Sequence, residues 1–356
     1  VANADQADYD GDGIGAACDP GDVPPNLPPT AEAGGPYSVP EGGGVTLNGS
    51  GTDPDNDVLT YAWDLNGDGT YETPGQSVTF SAAGLDGPSS KTVGIKVCDD
   101  DNACATDMAS VSVTNVAPTA TPTGATINEN GTASVNVTVS DPGTQDTCSL
   151  TIDWGEGASV TQAVGCNGTV TLTHQYLDDN PTGTASDTYG VSVTITDDDE
   201  GVGSTATSAV VNNLAPVVNA GPDASIYSGQ SHTVSATFTD VGTLDTHTAT
   251  MEWGDGSSIQ SVPVTQGAGS GSLSATHQYF VPGTYTVQVC VTDDDTGTAC
   301  DDLKVEVKRL PVQIDIKPGS FPNSINLKNK GNVPVGVFTG VYEGIAFDAT
   351  TIVRSS

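Results

Sequence analysis

The densest chemistry in this chain lies near its start, where Asp8, Asp10 and Asp12 alternate with Tyr9 and Gly11 and lead through Gly13 and Ile14 to Asp19. Counted from Asp8, carboxylates fall at positions 1, 3, 5 and 12, a glycine at 6 and a main-chain carbonyl, that of Ile14, at 7. A hard cation such as calcium takes roughly six to eight oxygen ligands, and a chain supplies them by curling round the ion. Glycine permits the sharp turn this needs. The expected ligands are Asp8, Asp10, Asp12, Ile14 through its carbonyl, and Asp19, whose short side chain makes two-oxygen ligation less secure than a glutamate would. The alternative is an acidic linker.

A second loop, Asp64, Asn66, Asp68, Gly69 and Glu72, repeats the front half of this pattern without an acid at position 12. It reads as a further calcium loop or as a polar hairpin, since Asn-Gly and Asp-Gly are hairpin-turn pairs in any case. Acids also gather at Asp53, Asp55 and Asp57 and at Asp99–Asp101. Similar turns recur as Asp141 with Asp146 and Asp197–Asp199, and as Asp240 with Asp245 and Asp293–Asp295. Carboxylates gathered in one place repel unless a cation bridges them; solvated acidic turns are the equal alternative.

Other chemistry is poorly supported. His174 and His277 hold equivalent places in Thr-His-Gln-Tyr, a framework position expected to pack and hydrogen-bond, while His232 and His247 stand alone. No zinc-protease helix motif, nucleophile elbow or phosphate loop is present. Paired acids are too abundant to single out a glycosidase dyad. The chain is not expected to be an enzyme. Asn48, Asn130, Asn136 and Asn167 have the form of glycosylation acceptors, a triplet common by chance in so Thr- and Asn-rich a chain.

The elements that position these residues follow from composition and repetition. With 356 residues, 35% hydrophobic, 43 Gly and 22 Pro, the chain suits several small turn-rich β domains. It carries 45 Asp+Glu against 9 Lys+Arg, a formal net charge of −36, so nucleic acid and anionic membranes are excluded as partners by repulsion. Lys91, Lys96 and Lys304 are the basic residues of 1–307, whereas 308–356 is mildly basic. Opposite charge at the two ends could steer head-to-tail contacts between copies, or the tail is simply a different module. No apolar run is long enough to span a bilayer. The chain opens inside a motif, so a processed or partial product is expected. Six of the seven cysteines form sequence-local pairs, Cys98 with Cys104, Cys148 with Cys166 and Cys290 with Cys300. They predict disulfides in an oxidising compartment, hence an extracellular or cell-surface location. Cys18 is left over, its partner upstream or in another chain.

Three tryptophans head matching motifs, Trp63-Asp64, Trp154-Gly155-Glu156-Gly157 and Trp253-Gly254-Asp255-Gly256, spaced 91 and 99 residues apart. Each is followed by a strand ending in Asp-Asp-Asp, and the first two repeats close on Asn115-Val116-Ala117-Pro118 and Asn213-Leu214-Ala215-Pro216. Apolar residues alternate, as at Leu59, Tyr61, Trp63 and Leu65 or Tyr285, Val287, Val289 and Val291, the period of half-buried antiparallel strands. An all-β protein is expected.

The Trp-Gly-Asp-Gly turn, the His277-Gln278-Tyr279 and Gly283-Thr284-Tyr285 strand pair and the Val-Thr-Asp-Asp-Asp endings resemble PKD (polycystic kidney disease) domains. These are immunoglobulin-like sandwiches of secreted and surface proteins of bacteria and archaea. The resemblance implies tandem sandwiches over 27–116, 117–215 and 216–309, in which acidic turns can bind calcium near domain junctions. The first repeat departs from the pattern in its longer Asp64–Gly69 turn and in lacking the His-x-Tyr element. Residues 1–26 resemble the end of a thrombospondin type 3 calcium repeat, with Cys18 part of its disulfide chemistry, and 310–356 resembles a short C-terminal β module of secreted bacterial proteins.

The functional expectation is an extracellular structural protein, a calcium-stiffened stalk or head-to-tail fibre that self-associates or meets other surface proteins. The rival is an adhesin or a spacer, binding carbohydrate or protein within a larger secreted protein. The 5% aromatic content speaks against a polysaccharide-binding stripe. A secreted hydrolase would need a catalytic domain outside these residues.

Overall fold

In the computed structural model, the described residues are 7–19, 21–180, 182–316, 318–319 and 334–351. Asn3 and Asp5 of the calcium segment and residues 320–326 and 331–333 of the tail motif lie outside them. The chain divides into two compact units: Val1–Thr123 with Val135–Leu172 and Gly190–Thr207, and Gly124–Ser134 with Thr173–Tyr189 and Ser208–Ser356. The first unit holds the whole first repeat and the second the whole third repeat, and the division falls within the middle one.

The alternation of apolar and polar residues becomes strands throughout, and among the described residues the one helical element is a 3-10 turn at Ala349–Thr351. In the first repeat a five-stranded sheet runs in the order Tyr37–Pro40, Cys104–Thr114, Ser89–Cys98, Thr60–Asp64, Thr73–Pro74. A pair formed by Gly44–Asn48 and Ser77–Ser81 faces it. The third repeat has the same five-stranded order, Ala224–Tyr227, Thr298–Lys308, Gly283–Thr292, Thr248–Glu252, Gln260–Val262. Its second sheet is Val217–Asn219, Ser231–Thr239, Ser270–Gln278, Val264–Gly267. The middle repeat follows suit, with Ser159–Gly165, Thr147–Asp153, Ser186–Thr196, Val202–Asn212 and Ala125–Asn128 in one sheet and Gly168–Gln175, Thr132–Ser140 and Thr119–Pro122 in the other. Two sheets packed face to face are β-sandwiches, and the fold is a tandem of immunoglobulin-like sandwiches.

Period-two alternation puts the predicted faces inside. Trp63, Val93, Ile95 and Val97 are buried in the first core, with Leu59, Tyr61 and Leu65 packed against it. Met251, Trp253, Val287, Val289 and Val291 are buried in the third, with Tyr285 alongside. These cores are small, so each sandwich leans on other restraints. Three disulfides supply some: Cys98–Cys104 and Cys290–Cys300 tie the two strands of a hairpin, and Cys148–Cys166 joins neighbouring strands. Cys18 stands outside these three and is exposed.

A parallel pairing in each repeat matters for the sites below. In each five-stranded sheet the first strand in sequence runs beside the last, Tyr37 opposite Val111, Ala125 opposite Ala209 and Ala224 opposite Val305. Strands laid side by side in this way bring the residue that leaves the first strand next to the hinge that leaves the repeat. In the tail, Ile314–Ile316 pairs with Val335–Val337 and Gly340–Tyr342 with Ile345–Phe347. Among the described residues no helix is long and apolar enough to cross a membrane.

Candidate metal centres

The Asp8 loop is shaped by its own carboxylates. Asp8 Oδ1 accepts from Gly11 N at 2.8 Å and Oδ2 from Gly13 N at 2.9 Å, while Asp10 and Asp12 each accept from the amide two residues on. Short side chains bonding forward to the main chain in this way wind a polar segment into a compact coil. Asp10, Asp12 and Asp19 each offer a ligand oxygen within 4.8 Å of the others, and Asp10 also groups with Asp8 and Asp22. Ile14 donates its amide to Asp12 and is exposed. Asp22, absent from the sequence template, is buried. Its Oδ1 takes the Tyr9 amide at 2.6 Å, and its Oδ2 is buried without a hydrogen bond. A buried carboxylate oxygen lacking a donor is what a cation would satisfy, so the residues present fit calcium.

The Asp64 loop folds by the same bonds. Asp64 Oδ1 accepts from Gly67 N at 2.7 Å and Oδ2 from Gly69 N at 2.8 Å, Asn66 accepts from Asp68 N, and Asp68 from Thr70 N. The bonds from Thr70 hold the Asp68 carboxyl below the usual range. Gly67 and Gly69 take positive φ, as Gly11 and Gly13 do. Glu72 is exposed, and no hydrogen bond ties it to the loop.

Asp53, Asp55 and Asp57 converge, with Asp53 Oδ1 accepting from the Asp55 and Asp57 amides and its Oδ2 buried without a partner. Desolvation first, then Asp100 and Asp53, raises the Asp57 carboxyl. Here the linker into the first repeat arrives: Asn26 Nδ2 donates to Asp99 at 2.9 Å and Leu27 N to Asp55 at 2.8 Å. The same bond recurs at both later hinges, from Asn115 to Asp197 and from Asn213 to Asp293, each at 3.1 Å. Those three aspartates also accept the amide that closes their own acidic turn.

Each later hinge also gathers acids from the repeat it leaves. Glu41 and Glu129 occupy matching places, their amides donating to the last strand at Thr114 O and Asn212 O, each at 3.0 Å. Their Oε1 atoms accept the hinge amides, Val116 N to Glu41 at 2.7 Å and Leu214 N to Glu129 at 2.6 Å. Beside Glu41 lie Asp86 and Asp146, their ligand atoms within 4.8 Å of one another. Asp146, with neither oxygen hydrogen-bonded, is pushed up to about 7, first by desolvation and then by Asp86 and Glu41. At the second hinge Glu129 rises to about 8, Asp245 to about 7 and Asp179 to about 7. Desolvation is the largest cause for each, and the acids around them add to it.

Two expectations about histidine need correction or gain detail. His247 does not stand alone: it is buried, its Nε2 is 2.9 Å from Asp240 and its Nδ1 3.1 Å from Gln266 Oε1. It sits where the middle repeat has Cys148, since Thr246 N and Thr147 N make the same bond to Asp294 and Asp198. A hydrogen-bonded His247–Gln266 pair thus takes the place of the Cys148–Cys166 disulfide. His232 faces His277 across paired strands. His277 stacks on Trp253 with ring centroids 4.8 Å apart and binds Asp255 at 2.7 Å, and His174 lies edge-on to Tyr176. Tyr279 OH donates to Trp253 O at 3.0 Å. These are framework contacts.

The sequence reading missed Asp22, Glu41, Asp86, Glu129 and Asp179. One signal was available: a glutamate directly follows Tyr37–Pro40 in the first repeat and Ala125–Asn128 in the middle one.

A family model described as PKD domain matches residues 26–113 and 213–308. Chitinase A of Pseudoalteromonas piscicida is 29% identical over 185 residues, 49% of this chain and 20% of that protein; the chain thus spans about a fifth of the relative it matches. Among solved structures, the PKD domain of an M14-like peptidase from a Thermoplasmatales archaeon is 22% identical, covering 28% of this chain and 96% of that one with a TM-score of 0.22. The ICAM-5 D1-D4 ectodomain fragment is 15% identical, covering 81% and 79%, with a TM-score of 0.35.

Proposed function

This chain belongs to the PKD domain family, and we propose that it is an extracellular structural or adhesion array whose repeats are stiffened by calcium. The observation that carries the reading is the recurring hinge bond: Asn26, Asn115 and Asn213 each fasten a short linker to the acidic turn of the repeat it enters. A linker held at that turn is a poor swivel, and a cation among the carboxylates there would hold it further. Asp8, Asp10, Asp12, Asp19 and Asp22 would take one ion in a segment similar to the end of a thrombospondin type 3 repeat. Asp64, Asn66 and Asp68 would take another, and Asp53, Asp55, Asp57 and Asp99 a third. Calcium supplies positive charge that ties together carboxylates otherwise repelling one another. The three disulfides fit an oxidising, extracellular setting. The mildly basic tail and acidic body support head-to-tail self-association or contact with other surface proteins.

The test is small-angle scattering and thermal melting of the whole chain with calcium and with chelator. Calcium is expected to raise the melting temperature and narrow the spread of molecular lengths; indifference of both to chelation would refute the reading. A second reading, a spacer within a larger secreted protein, is favoured by the match to one fifth of a chitinase. Its test is whether the full-length protein loses action on insoluble substrate when these repeats are deleted.

A further inference from the structure

We propose that each of the two inter-repeat hinges carries a calcium site divided between neighbours, so that neither repeat holds the ion alone: Glu41 and Asp86 of one repeat with Asp146 of the next, and Glu129 of one with Asp245 of the next. The inference rests on the calcium reading above and deepens it by giving the hinge ion its ligands.

Burial without partners is the first support. Asp245 is 7% exposed, and neither of its oxygens accepts a hydrogen bond. Glu129 is 1% exposed with Oε2 equally orphaned. At the first hinge Asp86 Oδ1 and both oxygens of Asp146 are buried without a hydrogen bond, while Glu41, 2% exposed, accepts the Gly87 and Val116 amides. A solvated acidic cluster would turn such oxygens to water; these are enclosed, and desolvated anions this close are tolerable only with a cation among them. Convergence is the second support. A Cβ added at Gly242 would collide with Glu129 Oε2 and with both Asp245 oxygens, so acids of two repeats meet over one glycine. Gly143, in the matching place, lies against the Asp146 carboxylate. The proposed ligands are all oxygens, the set a hard divalent cation takes. The His247 ring nitrogen also lies within 4.8 Å of ligand oxygens of Asp240 and Asp245, and it is engaged with Asp240 at 2.9 Å.

The third repeat provides the internal control. Its residue in the Glu41 and Glu129 position is Ser228, whose amide donates to Lys308 O at 2.8 Å as theirs do to the last strand. Its residue in the hinge-asparagine position is Arg309. Among the described residues, what comes after Arg309 is the strand pairs of the tail, which meets Gln230 through the carbonyl of Glu343. The acids occur at the two hinges between sandwiches and are replaced after the third.

The test counts calcium ions on the metal-stripped full chain by native mass spectrometry and calorimetry. E129Q and D245N lie on opposite repeats; each is expected to lose one ion, and the double variant E129Q/D245N no more than that same one. E41Q with D146N should behave likewise at the first hinge. Metal-free melting of each variant checks that it folds. The inference is overturned if the single variants keep the full count, or if the double variant loses two ions because the residues serve separate sites. A wild-type chain that takes up no calcium would instead sink the broader reading, while loss confined to D8N or D64N variants would spare that reading and reject the hinge sites.

Discussion

Removing metal should make this protein more stable in mild acid than at neutral pH, the reverse of the usual trend for carboxylate-rich proteins. Glu129 has a folded pKa of about 8 against 4.5 for a free glutamate. A group raised on folding contributes stability below its unfolded value and loses it as pH climbs through the folded one. At pH 8 the unfolded chain ionises Glu129 freely, whereas the folded chain must either protonate it or bury the charge. At about 1.4 kcal/mol per unit, moving from pH 8 to pH 5 recovers roughly 3 kcal/mol from this residue. Asp146, Asp179 and Asp245, each raised from 3.8 to about 7, act over an overlapping window, but they share fields and their contributions do not add. The assay is urea unfolding of the metal-stripped chain, followed by tryptophan fluorescence at pH 5, 6.5 and 8. About 3 kcal/mol against a typical urea slope of about 1–3 kcal/mol per molar shifts the midpoint by on the order of 1–3 M. E129Q should raise the pH 8 midpoint and flatten the profile, and saturating calcium should reverse its slope. A metal-free midpoint that is flat or falls from pH 8 to pH 5 would refute the claim that these acids are buried unpaired.

Further outcomes follow from single contacts. Gly242→Ala places a methyl against Glu129 and Asp245, so calorimetry should show loss of the second-hinge ion while the first remains. Asp22→Asn removes the buried oxygen of the N-terminal loop and should weaken one calcium at least tenfold, leaving the sandwiches' melting unchanged. Reducing Cys148–Cys166, which closes 18 residues, should cost the middle repeat about 3 kcal/mol by chain entropy, read as an earlier unfolding step under reductant. Asp255 is held at about 2, first by Ser257 and also by His277. Its stabilisation is present above about pH 4 and lost as pH falls toward 2, so Asp255→Asn should flatten the acid limb of the melting profile.

What could be read from the sequence was whatever a single repeat decides for itself. Period-two alternation located Trp63, Val287 and Val289 inside because a strand offers two faces and water selects between them. The cysteine pairs could be read because hairpin partners are close in sequence. The Asp8 and Asp64 loops share one set of forward hydrogen bonds, so their spacing was enough. Glu41 and Glu129 were passed over because a lone glutamate after a strand has no signature until the parallel pairing sets it beside the next hinge. Glu129 and Asp245 lie 116 positions apart, and nothing local in either marks the other. Asp22 escaped because it lies beyond the 12-position template that located Asp19. His247 looked solitary because its partners Asp240 and Gln266 sit at no spacing that a sequence motif records.

The exchange of glutamate for Ser228 and of asparagine for Arg309 gives the array a grammar. The middle repeat carries both an acceptor face for its predecessor and a donor face for its successor, so a duplicated copy could be spliced in beside it with every joint intact. The third repeat lacks the donor face. A tandem copy of the middle repeat is therefore expected to bring one further joint with it, and a tandem copy of the third is not.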